Sequence, residues 1–257
     1  MRRLLLLLIA ATMALPAVAW GPKGHDVVAY IAECHLSKRT RRHVEDTLGG
    51  KSMVSVANWM DNASHTDDYA HTKTWHYVNV DADEQSYAAS RKEAKGDAVK
   101  AIDDIVARLK SGELTAEEER VELMMLIHIV GDMHCPMHAG HKSDLGGNTV
   151  KVKFFGKQQK LHSVWDSEIV ESAHRWSYTE WQQQIDRLSQ EEIDEICKGT
   201  VEDWFAETVA EAQKIYEEIP EGKNLSYDEV AYYAPVVERQ LLKAGVRLAF
   251  LLEEIYK

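Results

Sequence analysis

His128 and Asp132 stand four residues apart in LMMLIHIVGDMH, and His162 and Asp166 repeat that spacing in LHSVWD. On a helix, positions i and i+4 share one face about one turn apart. Each pair therefore sets an imidazole nitrogen beside a carboxylate oxygen. His138 follows the first pair beyond Pro136, His76 lies in TWHYVNV, and Asp61 lies in ANWMDNAS. Zinc suits this donor set, and manganese and iron accept the same ligand types. The structural alternative is a His–Asp pair hydrogen-bonded in a core, and one pair alone would not separate the two. Asp132 favours metal, because its segment is apolar nearly all round and a carboxylate there is costly unless paired or metal-bound. Two such pairs, with His138 between them and Asp61 and His76 upstream, predict a metal centre. His134 is two residues from Asp132, so a helix would turn it to the opposite side. His35, His43, His65, His71, His141 and His174 sit in polar surroundings and are expected at the surface.

The elements that must position these residues are mostly helical. HDVVAYIAECHL and RRHVEDTLG read as two helices, the second closed by Gly49 and Gly50. GDAVKAIDDIVARLKSG puts Ala98, Ile102, Ile105, Val106 and Leu109 on one face and stops at Gly112. TAEEERVELMMLIHIVGDMH opens with Thr115 and, three residues on, Glu118, which is a capping box, and continues as a central buried helix. DEVAYYAPVVERQLLKAGVRLAFLLEEIY predicts a long C-terminal helix or helix pair, kinked near Pro235. One region alternates instead. Val150, Val152 and Phe154 oppose Lys151 and Lys153, Gly156 follows, and a return run ends near Leu161, which predicts a β-hairpin. Lys151, Lys153, Lys157 and Lys160 on it read as a solvated strand face. The expected fold is a mainly α, single-domain multi-helix bundle with a short β-hairpin, spanning residues 20–257.

Residues 1–19 carry Arg2 and Arg3, the apolar run LLLLLIAATMAL and then AVA, the pattern of a removable signal peptide and a secreted or periplasmic protein. Its removal leaves 28 basic and 42 acidic residues, a net charge of about −14 with histidine neutral. A protein that grips nucleic acid by phosphate neutralisation is usually basic, so any such partner here must meet local positive charge. Cys34, Cys135 and Cys197 are an odd number, too few for a disulfide scaffold, and read mostly as small buried apolar residues.

Seven stretches stand in order from Trp20 onward: WGPKGH, WMDNA, WHYVNV, HIVGDMHCPMHAG, DLGGNTVKVKFFG, LHSVWD and AGVRLAFLL. Together they resemble the single-strand-specific zinc nucleases, the S-one/P-one family, whose wider superfamily includes zinc-dependent phospholipases C. The resemblance implies a phospholipase C/nuclease-like helical fold holding three zinc ions. It implies a first ion on Asp61, His76, His128 and Asp132, and a second on His138, His162 and Asp166. A third would be held by the α-amino nitrogen and carbonyl oxygen of Trp20, by His25, and by Asp132 as a bridge. Three such ions against three carboxylates would leave the cleft about +3, the local field that the acidic surface lacks. The implied reaction is hydrolysis of single-stranded RNA and DNA to 5′-nucleotides, with removal of 3′-phosphates. Asp132 would bridge the ions that activate water, and Asp61 would orient that water. Tyr77 would stack a base, Asn79 stands where relatives carry a base-reading acid, and Asn148 would contact substrate. Ser64 stands where many relatives carry a basic residue, with Lys73 as a substitute. The resemblance implies a monomer without stable membrane association. Two other functions use the same ligands: a phospholipase C-like phosphodiesterase and a non-catalytic periplasmic zinc-binding protein. The short gap from Trp20 to His25, and Asp166 ending the last pair, favour the nuclease.

Overall fold

The computed structural model describes residues 20–84 and 86–257, so the expected signal peptide at 1–19 lies outside the described residues. Among the described residues, eleven α-helices run in chain order: α1 Pro22–His35, α2 Lys38–Thr47, α3 Trp59–Ala63, α4 Ala98–Ser111, α5 Ala116–Met133, α6 Leu161–Ser163, α7 Ile169–Ala173, α8 Tyr178–Ile185, α9 Gln190–Ile196, α10 Val201–Glu218 and α11 Tyr227–Ile255. The mainly α bundle with a short hairpin is the fold found.

Local chemistry sets the helix ends. Pro22 opens α1, where its missing N–H costs nothing. Thr115 and Glu118 form the expected capping box at α5. Gly112 closes α4 in the left-handed conformation at φ 67°. From Leu123 to Met133 every residue of α5 is buried, so the helix that carries His128 and Asp132 is the centre of the bundle. α11 runs unbroken for 29 residues through Pro235. The chain does not break into two helices there, because Ala234, Val236, Val237 and Leu241 are buried around the proline and pack the segment on both sides of it. α11 lies against α1, and the crossing is close. A Cβ on Gly245 would sit 2.5 Å from the side chain of Ile31.

The hairpin forms between β1, Lys151–Phe154, and β2, Lys157–Lys160, with Lys151 opposite Lys160 and Phe154 opposite Lys157. Val152 and Phe154 point inward and Lys151 and Lys153 outward, as the alternation requires. A third strand, β3 Asn224–Leu225, adds parallel to β1. Two residues are too few to leave a periodic signal in the sequence. Between α6 and α7 the chain widens into one π-turn, Val164–Glu168, which contains Asp166. Such turns recur at functional sites because they re-aim a side chain without ending the helix.

Candidate metal centre

Three backbone carbonyls aim the histidines. Nδ1–H of His128 donates to Ala57 O at 2.7 Å, that of His138 to His76 O at 2.5 Å, and that of His162 to Gly146 O at 2.6 Å. Each bond fixes the ring and directs Nε2 the other way, the arrangement that supports metal-binding imidazoles. The three Nε2 atoms point at carboxylates. His128 lies 3.2 Å from Asp132 and 3.4 Å from Asp61, His162 lies 3.1 Å from Asp166, and His138 lies 3.7 Å from Asp166. His76 approaches Asp132 through Nδ1 at 2.8 Å. His25 approaches it at 3.1 Å, its ring stacked on His128 with centroids 4.0 Å apart.

The donor set fits a cation better than it fits itself. His25 Nε2 and Asp132 Oδ1 stand 3.1 Å apart, buried, yet neither makes a hydrogen bond. Both His25 nitrogens, His76 Nε2 and His138 Nε2 are likewise buried without a partner. Leaving such groups unmade costs about 1–3 kcal/mol each. Burial opposes charge on His128, but Asp132 and Asp61 outweigh it and push its pKa up to about 10. Burial alone would raise Asp132, but His128 and His25 reverse this and hold it well below the usual carboxylate range. His25 and His138 are pushed down by burial and stay neutral. A proton on His128 thus stands where a cation could.

Donor atoms gather within 4.8 Å of one another in three groups: His25, Asp61 and His128; His76, His128 and Asp132; and Cys135, His138 and Asp166. His25, Asp61, His76, His128 and Asp132 therefore form one contiguous cluster. His138, His162 and Asp166 form a second, His162 meeting the other carboxylate oxygen of Asp166. Trp20 is fully buried, and the next residue is tied to the second cluster, Gly21 N donating to Asp166 O at 2.7 Å. His134 faces away, as its spacing requires, and meets Arg247 Nη1 at 3.0 Å.

A cleft of ≈ 370 Å³ opens onto both clusters. Asp61, His76, His138 and His162 reach it from the metal side, and Tyr77, Asn79, Asn148, Leu145 and Met137 form its walls. Ser64 lies at its edge, buried, with its hydroxyl donating to Asp61 O at 3.3 Å, while Lys73 and His65 bring basic groups to the same wall. Asn148 Nδ2 also donates to Leu145 O at 2.9 Å, so it serves its own turn as well as the cleft.

Three features escaped the sequence reading. Cys135, expected as a small core residue, is buried but stands beside Asp166, Sγ–Oδ1 3.4 Å. His141, expected at the surface, is half-buried and stacked on Tyr216 with centroids 3.9 Å apart. Asp144 holds the cleft loop, its Oδ1 accepting from Gly147 N at 2.6 Å and from the Tyr216 hydroxyl at 2.9 Å. Leu145, Gly146 and Gly147 in that loop all adopt positive φ, a strained run for a leucine. The segment DLGGN announces a tight turn, but nothing local announces that Tyr216, on α10, secures it.

A model of the S1/P1 nuclease family matches residues 20–257. Endonuclease 2 of Arabidopsis thaliana is 27% identical over 270 residues, covering 92% of this chain and 90% of that protein. Nuclease S1 of Aspergillus oryzae is 32% identical over 178 residues, covering 66% and 61%. Nuclease P1 of Penicillium citrinum is 28% identical over 155 residues, covering 58% and 57%. With the family model matched over residues 20–257, and Endonuclease 2 aligned over nine-tenths of both chains, this chain belongs to the S1/P1 nuclease family.

Proposed function

We propose that the protein is a zinc-dependent nuclease that cleaves single-stranded RNA and DNA to 5′-nucleotides and removes 3′-phosphates from nucleotides. Residues 20–257 would act as one monomeric unit, secreted or periplasmic, once residues 1–19 are removed. The observation that supports this most is Asp132, a fully buried carboxylate on which His25, His76 and His128 converge. Asp61, His76, His128 and Asp132 would hold one zinc, and His138, His162 and Asp166 a second. His25, Asp132 and the backbone of Trp20 would hold a third. Bound there, zinc supplies Lewis acidity toward a phosphate oxygen and acidifies water.

The chain's own residues do the rest. Asp61, with its side chain 16% exposed, is the one cluster carboxylate that lines the cleft, so it can orient a water against a phosphate held there. Tyr77 offers a half-buried ring for base stacking, which any base can use. Asn79 and Asn148 offer amides to a base or a sugar. Lys73 offers a cation to the phosphate in place of the residue missing at Ser64. A recess lined this way admits an unpaired strand, whose bases can splay, more readily than a duplex.

The test is to incubate the purified protein with single-stranded RNA, single-stranded DNA and a phosphatidylcholine analogue, with and without chelator. Chelator-sensitive release of 5′-nucleotides is expected. Release of phosphocholine alone would transfer the activity to the phospholipase side, and no turnover with metal still bound would make the chain a metal-binding protein. Asp132→Asn keeps the shape and removes the charge. It is expected to cost more than ~100-fold in activity, beyond what loss of a mere supporting partner costs, and to lower bound zinc. Retention of both would refute the bridging role.

A further inference from the structure

We propose that Cys135 is a sulfur ligand of the metal held by His138, His162 and Asp166, an inference that rests on the metal-centre reading above. Cys135 Sγ shares a 4.8 Å sphere with the donor atoms of His138 and Asp166, and lies 3.4 Å from Asp166 Oδ1. A thiolate and an imidazole bound to one zinc at ~2.3 and ~2.0 Å fall within such a sphere. The second observation is His138 Nε2, on a residue that is 3% exposed, which has no partner and lies in the same group of donor atoms. The approach also fits. The cleft is lined by His138 and His162 but not by Cys135 or Asp166, so sulfur and carboxylate would meet the ion from the protein side and leave its other side facing substrate.

The step balances simply. Cys135 loses its proton to solvent, and a sulfur lone pair forms the bond to the divalent ion, with no change of oxidation state. Two anionic ligands, Asp166 and Cys135, would then neutralise the ion's charge, where Asp166 alone would leave it +1. A soft donor also tilts the site toward thiophilic metals, which distinguishes this centre from the all-nitrogen-and-oxygen cluster around Asp132.

Cobalt(II) decides the matter without measuring activity. The purified protein is stripped with chelator and reloaded with Co²⁺ alone. A near-ultraviolet sulfur-to-cobalt charge-transfer band is expected, lost in Cys135→Ser but kept in Cys34→Ser and Cys197→Ser. Calorimetry in buffers of different ionisation enthalpy should show one proton fewer released on loading Cys135→Ser than on loading wild type. Visible cobalt bands without the charge-transfer band would overturn the proposal and leave the metal-centre reading standing. A band that survives in Cys135→Ser would overturn it by assigning the sulfur elsewhere. Failure to bind cobalt at all would overturn both. If Cys135→Ser does not fold, loss of the band in Cys34→Ser or Cys197→Ser would overturn the assignment, and its survival in both would uphold it by elimination.

Discussion

Asp132 and His134 are two residues apart at the end of one helix, and the helical turn sends them to opposite sides. Asp132 goes to the cluster. His134 goes to a buried arginine, its Nδ1–H donating to Val130 O at 2.8 Å and its Nε2 accepting from Arg247 at 3.0 Å. Burial and the charge of Arg247 push its pKa down to about 3, so it stays neutral. Unfolded, the same group titrates near 6.5. Because the folded value is depressed, the unfolded chain binds the proton first. The contribution of His134 to stability is whole above about pH 6.5 and is lost as pH falls toward 3. The melting temperature should therefore drop across that window, and His134→Gln, which keeps an acceptor for Arg247, should flatten the drop. Parallel curves for the two proteins would dismiss the idea. Spacing made this division legible in the sequence: i+2 set His134 apart from Asp132, and i+4 joined Asp132 to His128. Spacing could not reveal the role of Cys135. A thiol beside a proline looks like any other small core residue until Asp166, 31 residues on, is folded against it.

The elements that frame the cleft differ in what holds them. α5 is secured by eleven consecutive buried residues, whereas the loop 142–149 is secured by polar anchors. The Tyr216 hydroxyl accepts from His141 N at 3.2 Å and donates to Asp144, which accepts in turn from Gly147 N. Gly146 O then aims His162. One phenol on α10 therefore keeps a strained wall of the cleft and a metal-side imidazole in register. Tyr216→Phe removes only that oxygen. It is expected to raise KM for a dinucleotide, or weaken metal retention, by ~10-fold, the lower end for lost outer-sphere support, while helicity is unchanged. Unchanged KM and metal content would show that the loop holds itself. Elements with strong periodicity or caps were readable in advance, as α4 and α5 show. β3 was not, because its pairing with β1 is set by a chain return more than 60 residues away and not by its own two residues. The continuity of α11 was hidden for a related reason: the neighbours that overrule Pro235 are tertiary ones.

At the scale of the molecule, Arg247 ties the parts together. It is 1% exposed, donates to Ile196 O at 2.9 Å and to both oxygens of Glu207, reaches His134, and lies over the Trp204 ring. Its helix, α11, also carries the close crossing with α1 at Gly245 and Ile31. The proposed ligand residues all lie between 20 and 166, but the frame that aims them ends at 255. A chain that stops before Tyr227 has every donor and no bundle to hold them, and is expected to retain no metal after dialysis. Stoichiometric retention would show that the donors assemble without α11. Order of synthesis then becomes a safeguard. On that expectation the centre would stay empty until synthesis ends, because α11, the last helix delivered, is the one that closes around α1.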